Sequence, residues 1–420
     1  MVDFAKLDYF NDYATIPDPH PYYEYLRAQG PVTMMATQNV LAVTGFEEGM
    51  SVYRNHEVFS SIVTAKGPFP PLPFEPDPVD ITEQLEAHRE TMPYGKMLVG
   101  MDPPEHTRTR RLLTGLLTQQ RFRENEEFMD SMADRLIDKF IDDGKIEAIK
   151  QYSHPFATLA IADLMGVPEE DHEKILPLLG NLPGRLGGDD DQSANPLEKI
   201  GHLFYQHIRD RRENPRDDVM ALLANATYAD GELPDIETTT SLAALVFGAG
   251  QDTTVRLIAA MIKVLAEDPE LQEKIRGDRE LIPAFVEETL RLHGPSKAVF
   301  RLAKRRVRVG DKEMKPGDLV MLSMAAMNRD PRKFEDPNSF RLDRKNGREH
   351  VSFGMGIHSC LGAPLARAEA KMSLNKLLDR VHHLRIDEEV HGPAGSRTFD
   401  YEPNYTQRSL RSINITFARV

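Results

Sequence analysis

The spacing of apolar residues predicts a chain that is mostly helical. Apolar positions recur with a helical period from residue 105 to about 285, and again in a last helix that begins near Pro364. The period shortens to that of strands in residues 31–56, 298–325 and 385–420. Strands and helices do not alternate regularly, so the pattern predicts a mainly α protein with small β-sheets (α+β). One face of the last helix carries Ala366, Ala370, Leu374, Leu377 and Val381.

Two stretches interrupt the regular periods. Residues 60–105 are irregular and include the proline-rich segment KGPFPPLPFEPDPVD, and a loop of this length in a compact protein is usually functional. The segment GGDDDQSANP, at 187–196, separates two helical stretches. No metal-ligand spacing surrounds its aspartates, so we predict a solvated loop there rather than a metal site.

The composition excludes several classes of protein. Hydrophobic residues make up 40% and charged residues 28% of the chain, and the net charge is -14, which argues against a general nucleic-acid binder. No apolar run approaches the roughly 18 residues that a membrane span needs, and the first residues lack the pattern of a signal peptide. A single cysteine cannot form an intramolecular disulfide, which indicates a reducing compartment. We therefore expect a cytoplasmic protein that acts without a membrane or nucleic acid.

The one cysteine, Cys360, lies in the glycine-rich segment SFGMGIHSCLGAPLAR, at 352–367. Pro364 is suited to the first turn of a helix, so Cys360 is close to a helix N-terminus. The amides and the dipole there are expected to lower the pKa of the thiol. The residues alone leave open a small buried hydrophobe or a nucleophile. A c-type haem is excluded because the chain has no C-x-x-C-H motif.

The same segment carries a longer pattern. Phe353, Gly356, Cys360 and Gly362 satisfy F-x-x-G-x-x-x-C-x-G, which resembles the haem-binding loop of the cytochrome P450 family. The resemblance implies that the Cys360 thiolate is the axial ligand of a haem iron. It also implies a non-covalent haem b held between a long distal helix and the cysteine loop. The chain would then be one P450-like domain, 1–420, with a β-richer part at about 31–60 and a helical body at about 105–295.

A second mark of the family is the helical segment FVEETLRLHGP. Glu288 and Arg291 are three residues apart and can pair on one helical face, and Glu287 could pair with Arg291 at a spacing of four. On its own such a pair is usually a weak surface salt bridge. The resemblance implies instead that Glu288 and Arg291 form the buried structural E-x-x-R pair.

A third mark is LAALVFGAGQDTT, an apolar helix that turns suddenly polar. Ala249, Gly250, Asp252 and Thr253 satisfy the family pattern [AG]-G-x-[DE]-T. The resemblance implies that the helix opens locally for dioxygen, that Thr253 hydrogen-bonds the oxygen and that Asp252 relays protons. An ordinary kinked helix with satisfied polar groups is the structural alternative.

Further contacts follow from the same resemblance. His106, Arg110, Arg301 and His358 match partners of the haem propionates. The residues expected to contact the cofactor are thus His106, Arg110, Ala249, Arg301, His358, Cys360 and Gly362. The residues expected to line an apolar substrate pocket are Leu98, Leu245, Gly248, Ala249, Ala298 and Val299.

The implied function is a haem-thiolate monooxygenase that uses O2 to hydroxylate a medium-sized hydrophobic molecule. The chain has no dinucleotide fingerprint, so electrons from NAD(P)H are expected to arrive through a [2Fe-2S] or similar ferredoxin and its reductase. We expect a monomer with a basic docking patch for that donor, formed by Arg111, Arg344, Lys345 and Arg348. The alternatives are a peroxide-driven haem peroxygenase, a haem-thiolate binding or sensor protein without turnover, and a thiol enzyme without haem.

Overall fold

The computed structural model of the chain describes residues 2–116, 118–176 and 196–420. The segment predicted to be a solvated loop, 187–196, lies outside the described residues except for Pro196, where a helix begins. Helices dominate the described part, as the apolar periods predict. Their bounds are α1 (His20–Gln29), α2 (Phe46–Arg54), α3 (Thr82–His88), α4 (Glu105–Arg110), α5 (Gln119–Asp138), α6 (His154–Met165), α7 (Glu169–Ile175), α8 (Pro196–Glu213), α9 (Val219–Ala224), α10 (Ile236–Glu267), α11 (Pro269–Gly277), α12 (Ile282–His293), α13 (Met324–Met327), α14 (Ala363–Arg380) and α15 (Glu388–His391).

The strands form three small sheets within the described residues. The largest has the order β1-β2-β8-β5-β3, in which β2 and β8 are parallel and the other neighbours antiparallel. The second has the order β4-β10-β9, and β6 pairs with β7. The bounds are β1 (Val32–Met34), β2 (Val40–Val43), β3 (Phe59–Ser60), β4 (Lys145–Glu147), β5 (Val299–Ala303), β6 (Val307–Val309), β7 (Lys312–Met314), β8 (Leu319–Leu322), β9 (Val381–Ile386) and β10 (Asn414–Arg419).

Helix α10 is the centre of the molecule. The side chain of Asp235 accepts from the N–H of Thr238 and caps its first turn. Its N-terminal half packs with α8 and α9 in one hydrophobic cluster, and its C-terminal half packs with α5, α6, α12 and α14 in another. The polar stretch 248–254 lies between these two hydrophobic clusters. Polar side chains at this position do not interrupt the packing of either cluster.

Helix α14 shows how the cysteine segment is fixed. Gly362 precedes it, Pro364 lies in its first turn, and Val381 ends it in an extended conformation. The predicted apolar face is buried at Ala370, Leu374 and Leu377, whereas Val381 already belongs to β9. The N-terminus of α14 is thereby anchored by a packed helix, so the loop before it has a defined position.

The irregular region 60–105 is fixed by polar anchors. Asp102 is buried and accepts from Ser60 Oγ at 2.5 Å and from the N–H of Ser61 at 2.9 Å. Arg89 lies 3.4 Å from Asp102 and donates to the carbonyls of Gly95 and Gly100. The region also contains α3 and a 3-10 turn, Leu98–Gly100, so it is more regular than its proline content predicts.

Candidate active site

The cysteine loop owes its shape to glycines at two positive-φ positions. Gly354 has φ 63° and Gly356 has φ 73°, a region that favours glycine. A Cβ on Gly356 would also lie 2.5 Å from the carbonyl oxygen of Tyr53, so a side chain cannot fit there. The N–H of Cys360 donates to the carbonyl of Phe353 at 2.9 Å and closes the loop. These contacts fix the cysteine just before α14, as its sequence position predicts.

The Cys360 residue is exposed, although protein groups on one side crowd its sulfur. Burial by these groups raises the pKa of its thiol, against the opposing effects of the Gly362 and Ala363 amides and of Arg110. The lowered pKa expected from the helix N-terminus is therefore wrong, because loss of hydration outweighs the amides. An accessible yet poorly hydrated sulfur requires another positive partner, such as a metal ion, to stay deprotonated. A Cβ on Gly362 would lie 3.9 Å from the sulfur, at ordinary van der Waals distance, so the backbone of Gly362 passes close to it.

Helix α10 carries the polar pair that the sequence singles out. Thr253 Oγ1 donates to the carbonyl of Ala249 at 2.8 Å, one turn earlier. Asp252 accepts from Arg256 Nε at 2.5 Å and from Arg256 Nη2 at 2.9 Å. Ala249 is exposed although Phe247 and Gly248 beside it are buried, which indicates open space next to this turn. The helix is continuous from Ile236 to Glu267, so any local opening at this turn lies within an unbroken helix.

A buried acid joins α10 to α14. Thr254 Oγ1 donates to Glu369 Oε2 at 2.9 Å, and Glu369 is 1% exposed. Burial raises the pKa of Glu369 to about 8, although the bond from Thr254 opposes this effect. The contact places the turn of Thr253 beside the helix that Cys360 precedes. Sequence reasoning missed Glu369, and the signal was an acid next to Ala370 on the apolar face of α14.

Basic groups from three parts of the chain meet near the cysteine. The rings of His106 and His358 are 4.2 Å apart, and Arg110 Nη2 donates to the carbonyl of Ser359 at 2.5 Å. Arg301 is 6% exposed and donates to Thr64 Oγ1 at 3.0 Å. Burial, reinforced by the nearby arginines, lowers the pKa of both histidines, that of His106 to about 4.

Asp102 is the nearby carboxylate that acts electrostatically on this basic cluster, but it forms no ion pair with the cluster's arginines. Among the described residues, neither Arg110 nor Arg301 makes an ion pair with a carboxylate. Both ring nitrogens of His106 and Nε2 of His358 are buried without a hydrogen-bond partner. Buried donors and cations of this kind fit carboxylates that the protein does not itself supply. The propionates of a haem meet that requirement, so these residues fit the cofactor.

Comparisons with known proteins show the family of the chain. The sequence model for the family described as Cytochrome P450 matches residues 176–390. Cytochrome P450 144 of Mycobacterium tuberculosis is 33% identical over 376 residues, which span 87% of this chain and 83% of that protein. The chain belongs to the cytochrome P450 family. The protein is therefore a haem-thiolate monooxygenase, and its mainly α fold with small sheets is the P450 fold.

Two further relatives extend the comparison. The substrate-free structure of Mycobacterium marinum cytochrome P450 CYP150A6 has 46% sequence identity and a TM-score of 0.93, with 100% of both chains covered. The cyclomarin C epoxidase CymV of Salinispora arenicola is 34% identical over 295 residues, 69% of this chain and 74% of that enzyme. In the part of the chain that the structure describes, no helix has the length and apolar character to cross a membrane.

The E-x-x-R residues of this P450 lie in a buried network. Arg291 Nη2 donates to Glu288 Oε1 at 2.7 Å, and their side chains are 0% and 1% exposed. Arg291 also donates to the carbonyls of Asn328 and Pro337, which ties α12 to the segment before the cysteine loop. Arg344 donates to Glu288 at 3.0 Å and is 4% exposed, so its predicted place in an exposed docking patch is wrong.

Glu287 does not pair with Arg291 as its spacing allowed. It accepts from Arg367 Nε at 2.6 Å and contacts His350 Nε2 at 3.0 Å. Burial alone would raise the pKa of Glu287, but these bonds lower it to about 2. Arg367 also lies over the ring of Phe353, 4.6 Å from its centroid. The sequence did not reveal this network, because its members are far apart in the chain. The network supports the cysteine loop through the contact of Arg367 with Phe353.

The predicted substrate-pocket residues lie on three elements. Leu245, Gly248 and Ala249 are on α10, where Leu245 is half-buried. Leu98 is buried in the 3-10 turn that Arg89 anchors. Of the remaining two, Ala298 is buried just before β5 and Val299 is its half-buried first residue.

Proposed function

We propose that Cys360 is the axial ligand of the haem iron in this P450. The observation that carries the proposal is the exposed sulfur beside a basic cluster whose arginines, among the described residues, form no ion pair with a carboxylate. When bound, the haem supplies the activation of dioxygen and the insertion of one oxygen atom into a C–H bond. The chain itself supplies a sulfur in a fixed position, a poorly hydrated protein surface around that sulfur, and hydrogen-bond partners for the propionates. We also propose that residues 1–420 form a single domain.

The basic cluster gives the haem its orientation. Arg110 and Arg301 would donate to the propionates, and the unpartnered ring nitrogens of His106 and His358 would complete the contacts. Each histidine has a lowered pKa because burial, and then the nearby arginines, disfavour its charged form. Two carboxylates placed among these groups would reverse that effect and bind tightly.

Asp252 and Thr253 would deliver protons on the distal side. The hydroxyl of Thr253 already donates to Ala249, so its oxygen has lone pairs left to accept a proton from a donor nearby. The Asp252 side chain is partly exposed, so solvent can reach its carboxylate. Glu369, with its pKa near 8, holds a proton at neutral pH one residue away from this pair, at Thr254. This arrangement supports a reaction that consumes protons, as oxygen reduction by NAD(P)H does.

A medium-sized hydrophobic molecule fits the predicted pocket best. Its side chains are apolar or small, and Arg89 holds the wall that carries Leu98. The relatives of known activity do not fix the compound. We therefore propose hydroxylation of such a molecule and leave the oxidised carbon to experiment.

A ferredoxin and its reductase are the proposed electron donors. Arg111, Lys345 and Arg348 are exposed, and Arg348 is 77% exposed, so these three residues remain as the docking patch. An acidic ferredoxin would meet this patch through charge complementarity. A peroxide-driven reaction would not need Asp252 and Thr253 to deliver protons, so their presence argues against the peroxygenase. Membership of the P450 family favours an enzyme over a binding or sensor protein without turnover.

The test is a spectral titration of the purified holoprotein with a library of hydrophobic compounds. A binding compound is expected to displace water from the iron, and its product is then sought with a surrogate ferredoxin, its reductase and NAD(P)H. Product with this chain of donors and catalase present supports the monooxygenase. Product that forms only with added hydrogen peroxide would instead establish the peroxygenase.

A further inference from the structure

A single guanidinium restrains the segment that carries Leu98. We call residues 94–101 the wall segment. Arg89 Nη1 donates to the carbonyls of Gly95 and Gly100 at 3.3 Å and 3.0 Å, one near each end of that segment. The Arg89 side chain is only 14% exposed. Because a charged donor makes a stronger hydrogen bond than a neutral one, this side chain holds both ends of the wall segment at once.

Two acids fix the guanidinium of Arg89 in turn. Its Nε and Nη2 donate to the two carboxylate oxygens of Glu86, on α3, at 2.8 Å and 2.7 Å. Its Nη2 also lies 3.4 Å from Asp102 Oδ2. Asp102 is buried and accepts from Ser60, in β3, and from Ser61. The guanidinium therefore joins α3, the wall segment and the edge strand of the largest sheet.

The backbone of the wall segment is closely packed. A Cβ on Gly95 would lie 1.8 Å from the carbonyl oxygen of Arg89, and a Cβ on Gly100 would lie 2.3 Å from that of Tyr94. No side chain can fit at either glycine without a shift of the backbone. The N–H of Gly100 donates to the carbonyl of Met97 at 2.8 Å. The wall segment is thus a compact structure that backbone contacts and the guanidinium of Arg89 close together.

Leu98 is the residue through which the wall segment enters the core. It is 6% exposed and belongs to the hydrophobic cluster that contains Leu242 and Phe247 of α10. Lys96, two positions earlier, is 68% exposed, so the wall segment crosses the surface before it reaches this cluster. Surface segments with few buried contacts open locally. The bonds from Arg89 therefore decide how firmly Leu98 is held in place.

We propose that Arg89 is a positioning residue that determines which sizes of molecule this P450 accepts. It acts through the wall segment and not through contact with the substrate. With the guanidinium in place, a molecule that reaches Leu98 meets a preorganised surface. Without it, such a molecule must order the wall segment as it binds, whereas a molecule too small to reach Leu98 is unaffected. The inference rests on the proposed place of Leu98 in the substrate pocket.

The test compares two probes of different size that both coordinate the iron of the holoprotein. Imidazole is small, whereas 4-phenylimidazole brings an additional apolar ring into the pocket, and the Kd of each is measured by spectral titration. Arg89→Gln is expected to raise the Kd of 4-phenylimidazole by about tenfold and that of imidazole by less than about twofold. Arg89→Lys should give an intermediate result, because lysine keeps the charge but lacks the planar fork that reaches several partners.

Hydrogen exchange of the same holoprotein reports on the wall segment directly. Arg89→Gln is expected to speed the exchange of its amides by about tenfold and to leave those of α12 unchanged. The matched control is Lys96→Gln, which removes an exposed ion pair with Glu90 and should change neither the exchange nor either Kd. Glu86→Gln weakens the support of the guanidinium at an exposed acid, so it should fold even if Arg89→Gln does not, and it should shift both measurements less, in the same direction.

Leu98→Ala distinguishes this inference from the function beneath it. It should raise the Kd of 4-phenylimidazole, and its combination with Arg89→Gln should raise that Kd by less than the product of the two single effects. Independent effects, or a ratio of the two Kd values in Arg89→Gln equal to that in Lys96→Gln, would refute the role of Arg89. If Leu98→Ala left both Kd values unchanged, Leu98 would not line the pocket and the inference would fail with it. A wild type in which imidazole causes no spectral shift would overturn the proposed function itself.

Discussion

Replacing Glu287 by glutamine tests whether the network behind the cysteine loop stabilises the fold through charge. The side chain of Glu287 is 5% exposed and accepts bonds from Arg367 and His350. Its pKa is lowered from 4.5 to about 2. A difference of about 2.5 units corresponds to about 3.4 kcal/mol of stability at pH 7. We expect Glu287→Gln to lower the free energy of unfolding by about 3 kcal/mol at that pH.

The sign of the pH dependence follows from the direction of the shift. A lowered pKa contributes stability that is fully present above the unfolded value near 4.5 and is lost as the pH falls towards 2. Between pH 7 and pH 4 the linkage relation gives a loss of about 0.8 kcal/mol in the wild type that the variant lacks. Urea unfolding followed by circular dichroism at several pH values measures both quantities.

The matched control for this experiment is Glu273→Gln, which changes an exposed glutamate on the neighbouring helix α11. It should leave the stability within about 0.5 kcal/mol of the wild type. The reasoning would be refuted if Glu287→Gln had as little effect as the control. It would also fail if the gap between wild type and variant did not narrow as the pH falls.

Three further predictions concern the site. Thr253→Ala should keep haem and reduction but lower product per NAD(P)H by about tenfold, with the balance appearing as peroxide, and normal coupling would contradict its role. Arg301→Gln should speed haem transfer to apomyoglobin by about tenfold by removing a buried charge-assisted contact, and a rate equal to that of the exposed control Arg305→Gln would argue against a propionate contact. Arg348→Glu should slow reduction by an acidic ferredoxin at low salt, an effect that vanishes at high salt, and an unchanged salt dependence would remove Arg348 from the docking patch.

The features that could be predicted from the sequence depend on residues that are close together in the chain. The helix after Pro364, the buried face with Leu374 and the pairing of Glu288 with Arg291 all follow from spacings of three or four residues. The cysteine loop could be recognised because its glycines are required by backbone conformation, which Gly356 shows most clearly. In each case the residue spacing or the required backbone conformation favours a single local structure.

The features that escaped the sequence depend on residues far apart. Glu287 could have paired with Arg291, and only the fold shows that Arg367, eighty positions later, takes its carboxylate. Arg344 looked like an exposed docking residue because nothing local reveals that Glu288 buries it. The raised pKa of Cys360 could not be predicted for the same reason. The hydration of its sulfur depends on all the residues that surround it, and these come from distant parts of the chain.

The central claim is a bond between the Cys360 sulfur and the haem iron. Its most direct test is the spectrum of the reduced carbonyl complex of the full-length holoprotein and of Cys360→Ala, with haem content measured for each. The wild type should show the thiolate-type band, and the variant should lose that band while the basic cluster still retains some haem. A thiolate-type band that survives in Cys360→Ala, or a haem-loaded wild type without one, would contradict the account.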